Sequence, residues 1–367
     1  MQRGGRSTFW VLNQNLLNQF TRAFDANLAR LKCMTILVCS MLRHRTVNLT
    51  ILATENQTGA KNESCYRRFQ DFFLKFALPL DRVGAFILGK IPKPEEGWTL
   101  SMDRTNWKHG KKHINILTIG VVVNRIAIPV AWLVLPQKTK RGNSNTGQRI
   151  KVTRRLFKFM PTEDVRVLTM DREFGGAKWL KWLEENGIGY VVRVKSNTLV
   201  DGRHASGHGR MTRKTRDRMH KVWGLNVFFS HKYIRAKDRR DTHVYVISNR
   251  FTGDEALELY RLRWGIEQLF SHLKKRGFNL EDTHMIKGFK LEKLFALVSL
   301  AFLISFAWGC NLRAGGGCTK ATLRKSIFRH GLEDILRLLS NPNAEPDRSQ
   351  GFCRWLEQQK FDPIFLV

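Results

Sequence analysis

The hydrophobic period of the sequence changes at residues 91–97, and this change constrains the fold more than any other feature. Up to about residue 90, apolar residues recur at helical spacing, over residues 9–43 and 62–78. The segment 91–97 contains two prolines and one glycine, and beyond it the pattern becomes strand-like alternation and continuous apolar runs. We therefore predict an N-terminal helical domain, residues 1–90, followed by a region built on a sheet.

Five strands and two helices are predicted between residues 98 and 194. The first three strands follow one another through short connections, which is typical of an antiparallel meander. The later strands alternate with helices, which favours parallel pairing in the same sheet. This order indicates an α/β fold, a ribonuclease-H-like mixed sheet flanked by helices. The predicted strands are residues 98–104, 114–123, 126–135, 166–170 and 188–194, and the predicted helices are residues 148–160 and 177–186.

A basic, partly β insertion is predicted at about residues 196–245, before the helix that carries Glu267. It is rich in lysine and arginine and contains two strand-like runs, residues 223–234 and 242–248. Farther on, residues 290–309 predict a buried core helix, because their apolar run from Leu294 to Trp308, broken by Ser299 and Ser305, is shorter than the ~20 residues that a membrane span needs. We assign residues 98–310 to a ribonuclease-H-like domain that contains the insertion, and residues 311–367 to a C-terminal helical region.

The balance of charge restricts the kind of partner. Lysine and arginine number 63 against 31 aspartate and glutamate, a formal net charge of +32, in a chain that is 43% hydrophobic. A folded protein with such an excess is typical of binding to a polyanion, most often nucleic acid. An anionic membrane surface is the alternative, but the pattern predicts no anchor and no signal peptide. The 6 cysteines lack paired C-x-x-C spacing, so we expect neither a zinc site nor a disulfide framework, and a reducing cytoplasm fits.

A helix with two different faces is predicted over residues 252–276. Apolar residues form one stripe, and four polar residues share the adjoining edge. These four are Tyr260, Arg263, Glu267 and Lys274, at steps of three, four and seven. Thr252 and Glu255 match a capping box at the start, and Gly277 suits a left-handed stop at the end. This pattern has two interpretations. It is typical of an ordinary amphipathic helix with a solvated basic face, and it also suits a helix that holds a carboxylate among cations for metal-assisted chemistry on a phosphate backbone.

Two further carboxylates each follow a predicted strand: Asp103 closes the run 98–102, and Asp171 closes the run 165–170. If these strands are neighbours in the sheet, both side chains emerge at the same edge. Each aspartate alone is equally consistent with the solvated rim of a sheet. Together with Glu267, in a strongly basic protein, they form a set of hard oxygen ligands that suits two Mg²⁺ ions in phosphodiester cleavage. The sequence has no P-loop and no serine or cysteine nucleophile motif, so nucleotide hydrolysis and acyl transfer are unsupported.

The four polar residues of the predicted helix have the spacing Tyr-x2-Arg-x3-Glu-x6-Lys. This spacing resembles the signature of one large group of DDE transposases from bacterial insertion sequences. Asp103, in Met-Asp-Arg-Thr, and Asp171, in Thr-Met-Asp-Arg-Glu-Phe, are similar to the first and second catalytic aspartates of that group. The resemblance covers residues 98–276 well and the helical N-terminus loosely.

The resemblance implies cut-and-paste DNA transposition, in which double-stranded DNA is cleaved at terminal inverted repeats and joined to target DNA. It implies that residues 98–310 form the catalytic domain and that Asp103, Asp171 and Glu267 hold two Mg²⁺ ions, for which Mn²⁺ can substitute. It also implies a homodimer in a synaptic complex, a bacterial, cytoplasmic and nucleoid-associated location, and no membrane partner.

By the same resemblance, Tyr260, Arg263 and Lys274 grip DNA phosphates and help to hold a flipped base. Base flipping also needs an aromatic platform. Trp223, in the insertion, is our candidate, and an ordinary strand tryptophan is the alternative. The insertion is short, which leaves open whether the hairpin intermediate typical of this group is formed.

Two other functions are compatible with these residues. One is a Mg²⁺-dependent DNA nuclease without joining activity, and the other is a non-catalytic, transposase-derived, sequence-specific DNA-binding protein. The presence of all three acids argues against the second. The helical residues 1–90 are interpreted as a DNA-recognition module of helix-turn-helix kind, with a helical cap that makes no base contacts as the alternative.

Overall fold

The computed structural model describes residues 7–55, 60–136, 142–208, 217–234, 242–315, 324–341 and 345–358. The chain divides into two compact units: one comprises residues 93–269, and the other comprises residues 1–92 together with residues 270–367. The first unit is built on a sheet and the second on helices. The predicted domain over residues 98–310 crosses this division, because the residues after 269 group with the N-terminal helices.

The described residues contain the following elements. The helices are α1 Thr8–Ala23, α2 Leu28–His44, α3 Leu49–Leu52, α4 Asn62–Lys75, α5 Leu80–Leu88, α6 Thr146–Leu156, α7 Ala177–Glu185, α8 Gly253–Leu262, α9 Trp264–Leu273, α10 Gly288–Ala314, α11 Ile327–Ser340 and α12 Pro346–Gln358. The strands are β1 Trp98–His109, β2 Lys112–Val123, β3 Ile126–Val134, β4 Val165–Met170, β5 Tyr190–Val194, β6 Leu199–Val200, β7 Arg203–His204, β8 Met219–Val222, β9 Leu225–Ile234 and β10 Thr242–Ser248.

Eight strands form one mixed sheet in the sheet-based unit, in the order β3-β2-β1-β4-β5-β10-β9-β8. Strands β1, β2 and β3 are antiparallel, as the meander predicts, and β4 and β5 continue the sheet parallel to β1. Strands β10, β9 and β8 add three antiparallel members beyond β5. The mixed α/β fold is therefore confirmed, and the order of the first five strands is compatible with a ribonuclease-H-like core. The predicted insertion is partly β, and its longer strands widen the main sheet.

Strand β1 is longer than its sequence pattern predicts. The pattern predicts an end near residue 104, but pairing with β2 continues as far as His109, which lies opposite Lys112. Asp103 therefore lies in the middle of a strand, which corrects its predicted position at a strand end. Strand β4 does end at Met170, so Asp171 follows it directly, as predicted. The antiparallel partner keeps β1 extended beyond the point at which its parallel partner stops.

The helix predicted over residues 252–276 is two helices, α8 and α9, with Arg263 between them. The backbone is tightened at this junction, where the Arg263 N–H donates to the Tyr260 carbonyl at 3.1 Å, three residues back. Gly265 lies just after the junction, and a Cβ at this position would come within 2.9 Å of the Arg125 carbonyl oxygen. The missing side chain therefore allows the start of α9 to pack directly against the β2–β3 turn.

The predicted start of that helix is confirmed, but the predicted capping box and the predicted stop at Gly277 are wrong. Thr252 precedes α8 without a side-chain capping hydrogen bond, so no capping box is formed with Glu255. The Glu255 carboxylate lies 3.4 Å from Arg166, a residue of β4. At the other end, α9 stops at Leu273, and the left-handed residue that follows is Asn279, with a φ of 51°, rather than Gly277.

The helical unit is organised around α10. This helix is buried over most of its 27 residues, which confirms the predicted core helix. Among the described residues it is the one helix whose length and apolar content would suit a membrane span, and it is enclosed by protein, as the core helix of a globular domain is. The region predicted to be helical over residues 9–43 is divided into α1 and α2, because the Asn27 side chain accepts from the Ala29 N–H at 2.8 Å and caps α2.

Candidate catalytic site

Asp103 and Asp171 occupy neighbouring positions on adjacent parallel strands. Met102 of β1 is paired with Met170 at the end of β4, and each aspartate is the next residue of its strand or loop. The Asp103 side chain is 18% exposed. Its Oδ1 accepts a hydrogen bond of 2.7 Å from the Arg104 N–H. The strand register therefore brings the first two predicted acids to the same place in the sheet.

The guanidinium of Arg263 joins the first and third predicted acids. Its Nη1 donates to Asp103 Oδ2 at 3.1 Å, and its Nη2 donates to the Glu267 carboxylate. The Arg263 side chain is only 9% exposed, and its carbonyl oxygen accepts a hydrogen bond of 3.5 Å from Ser101 Oγ. Asp103 and Glu267 are thus both bound to one buried cation.

Tyr260 connects Asp171 to the same cation. Its hydroxyl donates to Asp171 Oδ1 at 3.2 Å, and the Arg263 guanidinium lies 5.6 Å from the centre of its ring. Burial raises the pKa of the Tyr260 phenol, against the opposing effect of Arg263. The hydroxyl therefore keeps its proton and can donate. Three predicted acids meet in this way around one tyrosine–arginine pair, so five predicted site residues come together.

Lys274 is not part of this group in the sheet-based unit. It follows the end of α9, belongs to the helical unit, and forms an ion pair of 2.8 Å with Glu281 there. Tyr260, Arg263 and Glu267 meet at helical spacing, as predicted, but α9 ends before Lys274, so the predicted face of four residues is formed by only three of them.

The environment of Asp103 favours a neutralising partner. Burial is the largest effect and raises the pKa of the Asp103 carboxyl to about 6; Arg263 and the Arg104 N–H oppose this rise, whereas the nearby Glu173 and Asp171 add to it. A carboxylate that is partly removed from water and surrounded by other acids is stabilised by a proton or a cation. Asp103 thus has the electrostatics expected of a ligand to a positive charge.

The three carboxylates are of the type that binds a divalent metal, but their side chains are not placed as a formed coordination site. Carboxylate oxygens are the ligands that Mg²⁺ prefers, and Asp103, Asp171 and Glu267 all contact one tyrosine–arginine pair. Within the described ranges, however, no group of three or more His, Cys, Asp or Glu side chains is placed to hold a metal ion. The cation bound to both Asp103 and Glu267 is the side chain of Arg263.

A second arginine fixes the turn that follows Asp171. The Arg104 Nε and Nη2 donate to the two carboxylate oxygens of Glu173 at 3.3 and 3.0 Å, and this side chain is 3% exposed. Its remaining N–H groups donate to the side-chain oxygens of Asn115 and, at 3.2 Å, Asn143. Since Glu173 is two residues after Asp171, this buried fork holds the short turn that positions the second acid.

Arg149 of α6 holds the same turn from another side. It donates to the Glu173 carbonyl at 2.8 Å and to the Ser144 carbonyl at 2.8 Å, and its guanidinium lies 5.0 Å from the Phe174 ring centre. Burial lowers the pKa of Arg149, and Glu173 opposes this effect. Arg104, Arg149 and Glu173 were not predicted from the sequence as site residues. The only available signal was the adjacency of Arg104 and Glu173 to the two predicted aspartates.

Trp223 lies in the turn between β8 and β9, so the strand predicted over residues 223–234 is confirmed except for its first two residues. Its φ is 52°, and the ring is 39% exposed. The ring packs against Gly175, where a Cβ would come within 2.7 Å of Trp223 Cη2. Because Gly175 follows Asp171 by four residues, the exposed indole lies beside the segment that carries the second acid.

A cavity of about 730 Å³ opens beside Tyr260 and Arg263 in the sheet-based unit. Its wall includes three further cationic side chains, Arg125, Lys232 and Arg261, together with apolar residues of β9, β10 and α8. Trp264 also lines it and is 57% exposed. Sequence analysis did not single out Trp264, because its position within a helical pattern suggested no special role.

A family model described as the Transposase DDE domain matches residues 90–304, which is more than half of the 367-residue chain. The matched range includes Asp103, Asp171 and Glu267, as well as Tyr260 and Arg263, which bind them. No curated protein sequence matches the chain. The extent of the family match decides the assignment: this chain belongs to the family of transposases with a DDE domain.

Proposed function

We propose that this chain is a cut-and-paste transposase of a bacterial insertion sequence, from the group with the Tyr-Arg-Glu-Lys signature. The observation that carries the proposal is the contact of Tyr260 and Arg263 with three acids from β1, the end of β4 and α9. Residues of the signature and the two aspartates are far apart in the chain, so their meeting is not a consequence of local spacing. Membership of the DDE transposase family supports DNA as the substrate.

In this proposal Asp103, Asp171 and Glu267 hold two Mg²⁺ ions, for which Mn²⁺ can substitute. When bound, such ions activate the attacking oxygen and stabilise the leaving oxygen of a phosphodiester. The chain's own contribution is to position these carboxylates: β1 and β4 fix the two aspartates in register, and the Arg104–Glu173 pair holds the turn after Asp171.

The cationic and aromatic residues would bind the DNA. Tyr260, Arg263 and Lys274 are proposed to contact phosphates near the cleaved bond, where the formal charge of +32 supplies salt-dependent attraction. Trp223 is proposed as the platform for a flipped base. Its exposure, its place in a turn and its packing beside the Asp171 segment support this role over that of an ordinary core tryptophan.

The partners follow from the same proposal. They are double-stranded DNA carrying terminal inverted repeats, target DNA, and a second copy of the chain in a synaptic complex. Residues 1–90 are proposed to recognise DNA, and residues 98–310 to carry the catalytic machinery. The proposed location is the bacterial cytoplasm, in association with the nucleoid.

The test uses the full chain and a duplex that carries the terminal repeat, read from the DNA flanking the gene. We expect Mg²⁺-dependent cleavage at the repeat and a joined product with a target plasmid. Glu267→Gln, Asp103→Asn and Asp171→Asn should each abolish cleavage while duplex binding persists. Glu185→Gln, at an exposed acid on α7, is the matched control and should cleave as the wild type does.

The outcomes separate three functions. Cleavage without joined product would identify a nuclease, and binding without any metal-dependent nicking would identify a non-catalytic DNA-binding protein. Normal cleavage by any of the three acid variants would overturn the assignment of the catalytic acids.

A further inference from the structure

Arg263 binds the same carboxylates that the proposed metal ions require. Asp103 has both of its oxygens engaged, Oδ1 by the Arg104 N–H at 2.7 Å and Oδ2 by Arg263 Nη1 at 3.1 Å. The Glu267 carboxylate accepts from the other Nη of the same guanidinium. A divalent cation that bound both Asp103 and Glu267 would lie beside the Arg263 guanidinium, so the two positive groups would repel each other and compete for the same two carboxylates.

The contact between Arg263 and Asp103 is buried, so Arg263 competes strongly with a metal ion for this carboxylate. The side chains of Arg263 and Asp103 are 9% and 18% exposed, whereas that of Glu267 is 37% exposed. A guanidinium held among carboxylates away from water is screened less than a surface ion pair. Leaving the acids without a cation would be costly, and the guanidinium keeps them together when no metal is bound.

Besides the two carboxylates, the Arg263 side chain has a second ligand available to it, a phosphate in the adjacent cavity. It lines the cavity of about 730 Å³ that carries Arg125 and Lys232, and its Nε is buried with no hydrogen-bond partner among the described residues. A cavity with several cations attracts the phosphates of DNA. A phosphate that entered it would compete with Asp103 and Glu267 for the guanidinium, and arginine suits phosphate because its fork binds two oxygens at once.

We propose that Arg263 couples DNA binding to metal binding: it holds Asp103 and Glu267 in the free protein, and a DNA phosphate releases it so that these carboxylates can take up divalent metal. This inference rests on the proposed function and adds a regulatory role for one residue of the site. Its consequence is that the free transposase binds metal weakly and does not hydrolyse phosphodiesters away from its DNA. By linkage, DNA raises the affinity for metal by the same factor as metal raises the affinity for DNA.

The experiment measures Mn²⁺ binding to the full chain by electron paramagnetic resonance, with and without the terminal-repeat duplex. For the wild type, the duplex should raise Mn²⁺ affinity on the order of tenfold, within the usual range of coupling between sites. For Arg263→Gln, the free protein should already bind Mn²⁺ more tightly than the free wild type, by a similar factor, and the duplex should add little. Arg261→Gln is the matched control: it removes one positive charge from the same cavity, but Arg261 is exposed and paired with Glu258.

The direction of the change in Mn²⁺ affinity decides whether Arg263 has this coupling role. Unchanged or weaker Mn²⁺ binding by free Arg263→Gln, or an equal gain in Arg261→Gln, would overturn the coupling role. Should Arg263→Gln fail to fold, the wild type alone still tests the inference, since equal Mn²⁺ affinity with and without the duplex would refute it. Failure of the proposed function has a different outcome: the wild type would then bind no Mn²⁺ through Glu267 even with DNA, and Glu267→Gln would change nothing.

Discussion

Replacing Arg104 with methionine should destabilise the protein strongly although the residue is not one of the three proposed catalytic acids. The change keeps an unbranched apolar stem but removes the guanidinium fork that binds Glu173 at 3.0 and 3.3 Å. Breaking one side of a buried ion pair costs about 3–5 kcal/mol. Because Glu173 is 20% exposed and can recover some hydration, we expect the lower part of that range, about 3 kcal/mol.

The assay is thermal unfolding in the presence of a chelator, followed by circular dichroism. A loss of about 3 kcal/mol corresponds to a fall in Tm of roughly 6–12 °C for a domain of this size. The double variant Arg104→Met/Glu173→Met should recover part of the loss, because no uncompensated carboxylate is left. Arg166→Met is the control: its partners, Glu96 and Glu255, are mostly exposed, so it should change stability by less than about 1 kcal/mol.

Two results would refute this reasoning about Arg104. One is an Arg104→Met variant that melts within about 2 °C of the wild type, which would mean that the pair contributes no more than a surface contact. The other is a double variant whose loss equals the sum of the two single losses, since independent residues behave additively and members of a buried pair do not.

Two further predictions concern the site itself. Burial raises the pKa of Asp103 to about 6 from an ordinary value of 3.8, so between these pH values the folded state keeps a proton that the unfolded chain loses. With metal chelated, raising the pH from about 4 to about 6 should therefore lower the free energy of unfolding of the wild type. This loss should exceed that of Asp103→Asn, which lacks the titrating carboxyl, by on the order of 3 kcal/mol. Equal pH slopes of the two proteins in urea denaturation would contradict this. Trp223→Ala should reduce end cleavage about 5- to 150-fold, since stacking on one base contributes about 1–3 kcal/mol, whereas Trp223→Phe should retain most of the cleavage. The fluorescence of 2-aminopurine placed at the cleaved end reports whether the base is flipped. Cleavage by Trp223→Ala at the wild-type rate would exclude Trp223 as the platform.

The sheet could be predicted to the extent that it depends on local pattern. The short connections between β1, β2 and β3 and the alternation of strand and helix afterwards are visible in the sequence, and they specify the meander and its parallel extension. The far end of β1 could not be predicted, because the residues from Asp103 to His109 are largely polar. They are extended by pairing with β2, which is a tertiary effect.

The acids of the site could be predicted from residue type and spacing, whereas their supporting contacts could not. Arg104 and Glu173 are 69 residues apart, and nothing in either local sequence indicates that the two side chains meet. The division of the predicted helix at Arg263 was equally hidden. Just after the division, Gly265 approaches the Arg125 carbonyl, a contact that only the packed sheet provides.

The spacing of the signature has a physical meaning that does not require DNA. Tyr260 and Glu267 are seven residues apart, about two helical turns, which is too far for them to share a small ligand directly. Arg263 lies three residues after the first and four before the second, the two spacings at which side chains on a helix meet. One guanidinium can therefore lie over the tyrosine ring and bind the glutamate while its other Nη reaches Asp103 on β1. Shifting Arg263 by one position would turn it about 100° around the helix and break all three contacts together. We infer that the three- and four-residue intervals are needed to hold the acids of the free protein in one place. A DNA phosphate then contacts an arginine that these acids have already positioned.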